Sequence, residues 1–162
     1  ETGCAAVKLE GGEAMAETIA FLSRRGIPVM AHIGLTPQAV NALGGYGARG
    51  RSQEEHAKII SDGKAVQEAG AFAVVVEGVV EPIAVSLTQS LDIPVIGIGA
   101  SAQCDGQVLV VDDMLGMFER VPRFVKKYGN LAEEITDKVQ QYASEVRARS
   151  FPTADQTYQP KG

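Results

Sequence analysis

The stretch Ala71-Phe72-Ala73-Val74-Val75-Val76-Glu77 is an apolar run closed by a single carboxylate. It lacks the apolar/polar alternation of a half-exposed strand, and it is far shorter than the roughly 20 residues of a membrane span. It therefore reads as a β-strand covered on both faces, the kind that parallel sheets use. Four other segments have the same character, at 5–10, 28–34, 94–99 and 107–111. Between the strands, apolar residues recur with a 3.6-residue period at 13–25, 54–69 and 81–91, and again at 131–148, several of these segments carrying an acidic residue in the first turn. Strands alternating with helices predict successive parallel βα units, and hence an α/β fold. The joints agree: Arg25-Gly26-Ile27-Pro28, Ala69-Gly70-Ala71 and Leu91-Asp92-Ile93-Pro94 combine helix-ending Gly with Pro or a turn residue.

The chain has 162 residues, with 15 Lys plus Arg against 20 Asp plus Glu and a formal charge of −5. That balance offers no broad attraction to phosphodiester backbones, so nucleic acid is not an expected partner. No run is long enough for a membrane span and no segment has the form of a signal peptide, so the expected location is cytoplasmic. Cys4 and Cys104 cannot make a disulfide framework, and no Cys or His pair has zinc-ligand spacing, so both are expected to be reduced structural thiols. Eighteen glycines exceed the usual ~7% without a collagen-like period. Four of them, Gly44, Gly45, Gly47 and Gly50, fall in the irregular stretch 36–52, where a loop of such length is usually functional or mobile.

Ionisable residues stand at the ends of the apolar strands. Lys8 and Glu10 are two apart in Val7-Lys-Leu-Glu-Gly-Gly12, so they share one strand face while Val7 and Leu9 take the other. His32 lies near the end of the second strand and Glu77 closes the third. Each could be a satisfied structural group, and Lys8 with Glu10 an ordinary ion pair. Their convergence on one sheet edge favours function, because α/β barrels and open α/β sheets build their sites at the carboxyl ends of strands. The segment Gly97-Ile-Gly99-Ala-Ser101 lacks the full dinucleotide fingerprint and indicates close backbone approach to a ligand or a neighbouring element. The 43–51 loop is no Walker A motif. With Tyr46, Arg49 and Arg51 among its glycines it is either a lid over an anionic substrate or a plain loop. Asp112 and Asp113 read as capping or turn residues.

The blocks Val7-Lys-Leu-Glu-Gly-Gly12, His32-Ile-Gly-Leu-Thr-Pro-Gln38, Gly44-Gly-Tyr-Gly-Ala-Arg-Gly50, Val76-Glu77, Ile93-Pro-Val-Ile-Gly-Ile-Gly-Ala100 and Asp105-Gly-Gln-Val-Leu-Val110 closely resemble the 3-methyl-2-oxobutanoate (ketopantoate) hydroxymethyltransferases. The resemblance runs in order over roughly the first 130 residues. It implies a (βα)8 TIM barrel that transfers a hydroxymethyl group from 5,10-methylenetetrahydrofolate to 3-methyl-2-oxobutanoate, giving 2-dehydropantoate for pantothenate and coenzyme A synthesis. It also implies Mg2+ or another divalent cation, and a homo-oligomer, in many members a decamer. Carried over by motif, Glu77 is the proton acceptor, Lys8 and His32 bind substrate, and Glu10 belongs to the metal site. The chemistry fits: removing the C3 proton of a 2-oxo acid makes an enolate, whose oxygen needs positive charge beside it. A carboxylate partly desolvated behind an apolar strand makes a stronger base.

A complete barrel of this type has eight strands and about 250 residues, and five strands are read here. Residues 1–148 are therefore expected to be the C-terminal part of one barrel domain, strands 4 to 8, followed by a tail at 149–162. The N-terminal portion of the same enzyme, with an Asp-Ser pair and a second Asp for the metal, would be its partner. The absence of an initiator Met agrees with that expectation. Ser101 stands where the family commonly has Gly. Two alternatives remain open: another 2-oxo-acid enolate lyase of the phosphoenolpyruvate/isocitrate lyase type, and a non-enzymatic, five-stranded α/β binding domain complete in itself.

Overall fold

The computed structural model describes residues 2–39, 41, 45 and 47–160. By its internal contacts the chain forms two compact units, Glu1–Val108 and Leu109–Gly162.

The first unit is a parallel sheet of five strands, β1 (Val7–Glu10), β2 (Val29–Gly34), β3 (Ala73–Glu77), β4 (Val95–Ile98) and β5 (Gly106–Gln107). Helices α1 (Ala16–Ser23), α2 (Gln53–Glu68) and α3 (Glu81–Ser90) alternate with the first four strands. A 3-10 turn, Glu13–Met15, leads into α1. Each strand pairs with the next in sequence, in the order β1-β2-β3-β4-β5. A doubly wound sheet reverses its strand order at a switch point. No reversal occurs here, so the sheet is consistent with part of a (βα)8 barrel.

The core explains why. Val29, Ala31 and Ile33 of β2, Val74 and Val76 of β3 and Val95 of β4 lie on one face with Ile19 of α1, Val66 of α2 and Leu87 of α3, all almost fully buried. Val7 and Leu9 of β1 join the same cluster. Because strand side chains alternate, this puts Lys8, Glu10, Met30, His32, Val75 and Glu77 on the opposite face. The helices cover one face, as right-handed crossovers between sequential parallel strands require.

Helix α2 begins as its sequence indicates. Ser52 has extended backbone and its side chain accepts a hydrogen bond from the Glu55 N–H at 3.1 Å. The expected strand at 107–111 differs: the ladder covers only Gly106 and Gln107, paired with Ile96 and Gly97. β5 has one neighbour among the described residues. The apolar run that follows turns instead into α4 (Val111–Met114), whose first turn holds Asp112 and Asp113. Carboxylates there face the positive end of the backbone dipoles. They lie in the first turn of this short helix, which has no side-chain capping hydrogen bond.

Gly34 is required where β2 ends. Its φ is +88°, and an added Cβ would lie 2.5 Å from the Glu77 carbonyl oxygen and 2.7 Å from Val79 Cγ2. That carbonyl accepts the Leu35 N–H at 2.8 Å, so the two strand ends cannot separate without losing the bond. Gly34→Ala should therefore destabilise the fold by about 2–4 kcal/mol, combining backbone strain with overpacking. A urea midpoint unchanged from wild type would refute this.

The second unit contains α4 and α5 (Leu131–Arg147). Gly116, with φ +75°, packs against the backbone of Gly129 and Asn130, and the Tyr128 and Leu131 N–H groups donate to the Met114 and Leu115 carbonyls. Ile135, Val139, Tyr142 and Val146 form an exposed apolar stripe along α5. The segment expected to be an extended tail carries a 3-10 turn, Ala154–Gln156, closed by a capping box on Thr153. Phe151 packs edge-on against Tyr142 at 5.3 Å. No described helix is long and apolar enough to cross a membrane.

Candidate functional site

The strand register brings the four ionisable residues singled out in the sequence to one place. Glu10 pairs with His32 across β1 and β2, and Gly34 pairs with Glu77 across β2 and β3. All four side chains project from the face opposite the helices; Glu10 and Glu77 end their strands, while Lys8 and His32 lie two residues before the ends of β1 and β2. Lys8 Nζ lies 3.0 Å from His32 Nδ1 and 3.9 Å from Glu10 Oε1. His32 Nε2 lies 3.1 Å from Glu77 Oε2, and His32 Nδ1 is 3.7 Å from Glu10 Oε1. The imidazole thus stands between the ammonium and the second carboxylate.

Burial grades across the cluster. The His32 side chain is 4% exposed, those of Glu10 and Glu77 11% and 15%, and that of Lys8 45%. An ordinary surface ion pair between Lys8 and Glu10 does not describe this. The closest polar neighbour of the ammonium is a neutral-capable ring nitrogen, while the carboxylate sits at the limit of ion-pair distance. Lys8 therefore keeps N–H donors available for an anionic ligand.

Glu10 is held from a direction the sequence did not disclose. The Gln38 backbone N–H, in the 3-10 turn Pro37–Ala39 after β2, donates to Glu10 Oε2 at 2.9 Å. Oε1 is left facing Lys8 and His32. Among the described residues no group of three or more His, Cys, Asp and Glu side chains could hold a metal ion. Glu10 can give a divalent cation one oxygen, and Mg2+ takes six ligands in near-octahedral geometry. The described residues alone do not fit a magnesium site.

The other segments marked in the sequence lie beside this cluster or are filled by the protein itself. Leu43, Gly44 and Tyr46 of the 43–51 loop lie outside the described residues. At the loop's far end, the Arg49 N–H donates to the Gly78 carbonyl at 2.7 Å, and the Val80 N–H donates to the Arg49 carbonyl at 3.0 Å. The loop is thereby stitched to the segment immediately following Glu77. The Arg49 guanidinium meets Glu55 Oε1 at 3.1 Å, and Glu55 Oε2 accepts the N–H groups of Gly50 and Arg51. The Arg51 N–H, together with Arg49 and the other backbone donors, holds the Glu55 carboxyl below its ordinary pKa despite some opposing desolvation. The periodicity places a helix at 54–69, but the reach of Glu55 back to 49–51 has no signature of its own.

Gly97 makes the close approach to a neighbouring element. An added Cβ would lie 3.0 Å from Cys104 Sγ and 3.1 Å from the Gln107 side chain. Ser101 is buried, donating through Oγ to Glu81 at 3.3 Å, accepting the Gln103 N–H, and offering its carbonyl to Gln107 at 2.8 Å. A serine there finds its own partners. Cys104 is a buried free thiol and Cys4 an exposed one.

The arrangement can hold an anion at Lys8, move a proton at Glu77, and fix both through His32. The sequence model of the family described as "Ketopantoate hydroxymethyltransferase" matches residues 1–154. Proteins named 3-methyl-2-oxobutanoate hydroxymethyltransferase are 71% identical in Novosphingobium aromaticivorans, over 99% of this chain and 56% of that protein, and 63% identical in Rhodospirillum centenum, over 98% and 58%. The Bartonella henselae protein of the same name is 58% identical over 99% of this chain and 58% of its own length. The chain thus spans a little more than half the length of these relatives. With a family model matched over almost all of its residues and identities far above chance, this chain belongs to the ketopantoate hydroxymethyltransferase family.

Proposed function

We propose that the protein carrying this chain transfers a hydroxymethyl group from 5,10-methylenetetrahydrofolate to 3-methyl-2-oxobutanoate, forming 2-dehydropantoate. In this reading the chain contributes strands 4 to 8 of a (βα)8 barrel. The N-terminal portion of the same enzyme supplies the rest, and the barrels assemble as a homo-oligomer, a decamer in the fullest case. The observation that carries the reading is the convergence of Lys8, Glu10, His32 and Glu77 on one face, toward the carboxyl ends of β1, β2 and β3. That edge is where barrel enzymes hold their substrates.

The reaction begins with loss of the C3 proton of the oxo acid. Glu77 takes it, the C–H electrons form the C2–C3 double bond, and the 2-oxo oxygen becomes an enolate. Lys8, with its exposed ammonium, donates to the substrate's oxygens and is stronger toward the enolate than toward the neutral carbonyl, which is what accelerates the step. Water adds to the one-carbon unit and tetrahydrofolate departs as the C–N bonds break, leaving a carbon at the formaldehyde level; the enolate carbon attacks that carbonyl, whose oxygen takes up a proton and becomes the hydroxyl. A divalent cation would take Glu10 as one ligand and draw its others from substrate, water and the remaining part of the protein, where it would act as a Lewis acid.

The test is product formation by the full-length protein with Mg2+. Folate-dependent appearance of 2-dehydropantoate is expected. Cleavage of 2-oxo acids without folate would overturn the assignment in favour of a lyase of the isocitrate lyase type, and binding without turnover would favour a non-enzymatic role.

A further inference from the structure

We infer that His32 does not contact substrate: Lys8 locks it in the neutral Nε2–H tautomer, and it serves as the positioning residue that aims the Glu77 carboxylate. The inference rests on the reading of Glu77 as the proton acceptor. It changes the role of His32 from substrate ligand to strut.

The tautomer follows from the neighbours. Lys8 Nζ, 3.0 Å from Nδ1, is an ammonium with donors and no lone pair, so Nδ1 must present its own lone pair. The single ring proton then sits on Nε2. There the nearest acceptor is Glu77 Oε2, at 3.1 Å but off the hydrogen-bonding direction, so that Nε2 is buried without an aligned partner among the described residues. The opposite tautomer would set N–H against N–H at Lys8 and lone pair against lone pair at Glu77. Both contacts select the same form.

Two consequences follow for the base. A small rotation of the Glu77 carboxylate aligns Oε2 with the Nε2–H group, which recovers the hydrogen bond that a buried donor otherwise lacks. With Oε2 occupied by that donor, the proton taken from substrate must go to Oε1. His32 is 3% exposed and both ring nitrogens face protein groups, so no polar edge remains for the oxo acid. Its function is to fix which oxygen of the base faces the substrate.

The experiment uses the full-length protein with ring-15N-labelled histidine and the variants His32→Gln and His32→Asn. The His32 resonances, assigned by their absence from either variant, should show Nδ1 unprotonated and Nε2 protonated. A Gln amide reaches the Nε2 position and keeps a donor toward Glu77. An Asn amide ends near Nδ1 and cannot. Deuterium uptake at C3 of 3-methyl-2-oxobutanoate should therefore fall no more than about 10-fold in His32→Gln and roughly 10- to 100-fold in His32→Asn, the scale of misplacing a reacting group. KM for the oxo acid should stay within about twofold in both, since uniform binding is untouched. A protonated Nδ1, equal losses in the two variants, or a raised KM at unchanged kcat would each overturn the inference. Failure of the wild-type protein to form 2-dehydropantoate would instead overturn the parent reading, and the ring-nitrogen spectrum would still decide the tautomer.

Discussion

Glu77→Gln lowers deuterium exchange at C3 of 3-methyl-2-oxobutanoate, and overall turnover with it, by at least about 10²-fold, the usual effect of losing a general base. The substitution suits the site. Glu77 ends β3 opposite Gly34, and its side chain is 15% exposed. Gln has the same length and shape, and it can turn its carbonyl oxygen toward His32 Nε2 without leaving a buried donor unpaired. Stability should therefore match wild type, and the urea midpoint is the control. What Gln cannot do is accept a proton. Glu77→Asp separates chemistry from position: it keeps the carboxylate but withdraws it by one methylene from His32, so it should fall between wild type and Gln. Exchange in Glu77→Gln at a rate near that of wild type would remove Glu77 from this role, whatever the effect on later steps.

The parts of this site that were legible in the sequence are those governed by strand alternation. Lys8 and Glu10, two apart, share a face, and lone ionisable groups closing apolar runs mark the same sheet edge at His32 and Glu77. The helices starting near Glu54 and Glu81 follow from the 3.6-residue period and first-turn charge. What depends on relations between distant segments was not legible. The Gln38 N–H reaching Glu10 and the pairing of Arg49 with Gly78 and Val80 are tertiary contacts without a local spacing rule. The run 107–111 has β-forming residues but a neighbour on only one side among the described residues, and propensity yields to the absence of a second ladder. For His32, the sequence placed the ring at the site but not its orientation. Only the positions of Lys8 and Glu77 on either side of it reveal that both nitrogens face protein.

Lys8→Met is the complementary test, because it removes the ammonium while keeping an unbranched side chain of similar length. With 45% of the side chain exposed and its nearest partner a ring nitrogen at 3.0 Å, Lys8 contributes little to packing, so the variant should fold. The cost falls on the reaction. An enolate oxygen that loses a positioned donor typically loses about 10²- to 10³-fold in rate, and both C3 exchange and kcat/KM should drop by that order. Part of the loss should appear in KM, since the same ammonium meets the anionic substrate before any proton moves. A second effect distinguishes this variant from Glu77→Gln. Without Lys8, nothing obliges Nδ1 of His32 to remain unprotonated, and Glu10 Oε1, 3.7 Å away, becomes the acceptor that an Nδ1–H group would seek. The ring-15N spectrum should then show a mixture of tautomers, and Glu77 should lose its aligned donor along with the substrate's cation. Lys8→Arg should not restore the rate, because a planar fork is not interchangeable with a compact ammonium seated against an imidazole. C3 exchange within about threefold of wild type in Lys8→Met would place the enolate-stabilising charge elsewhere in the protein, against the oxyanion-donor scale expected here.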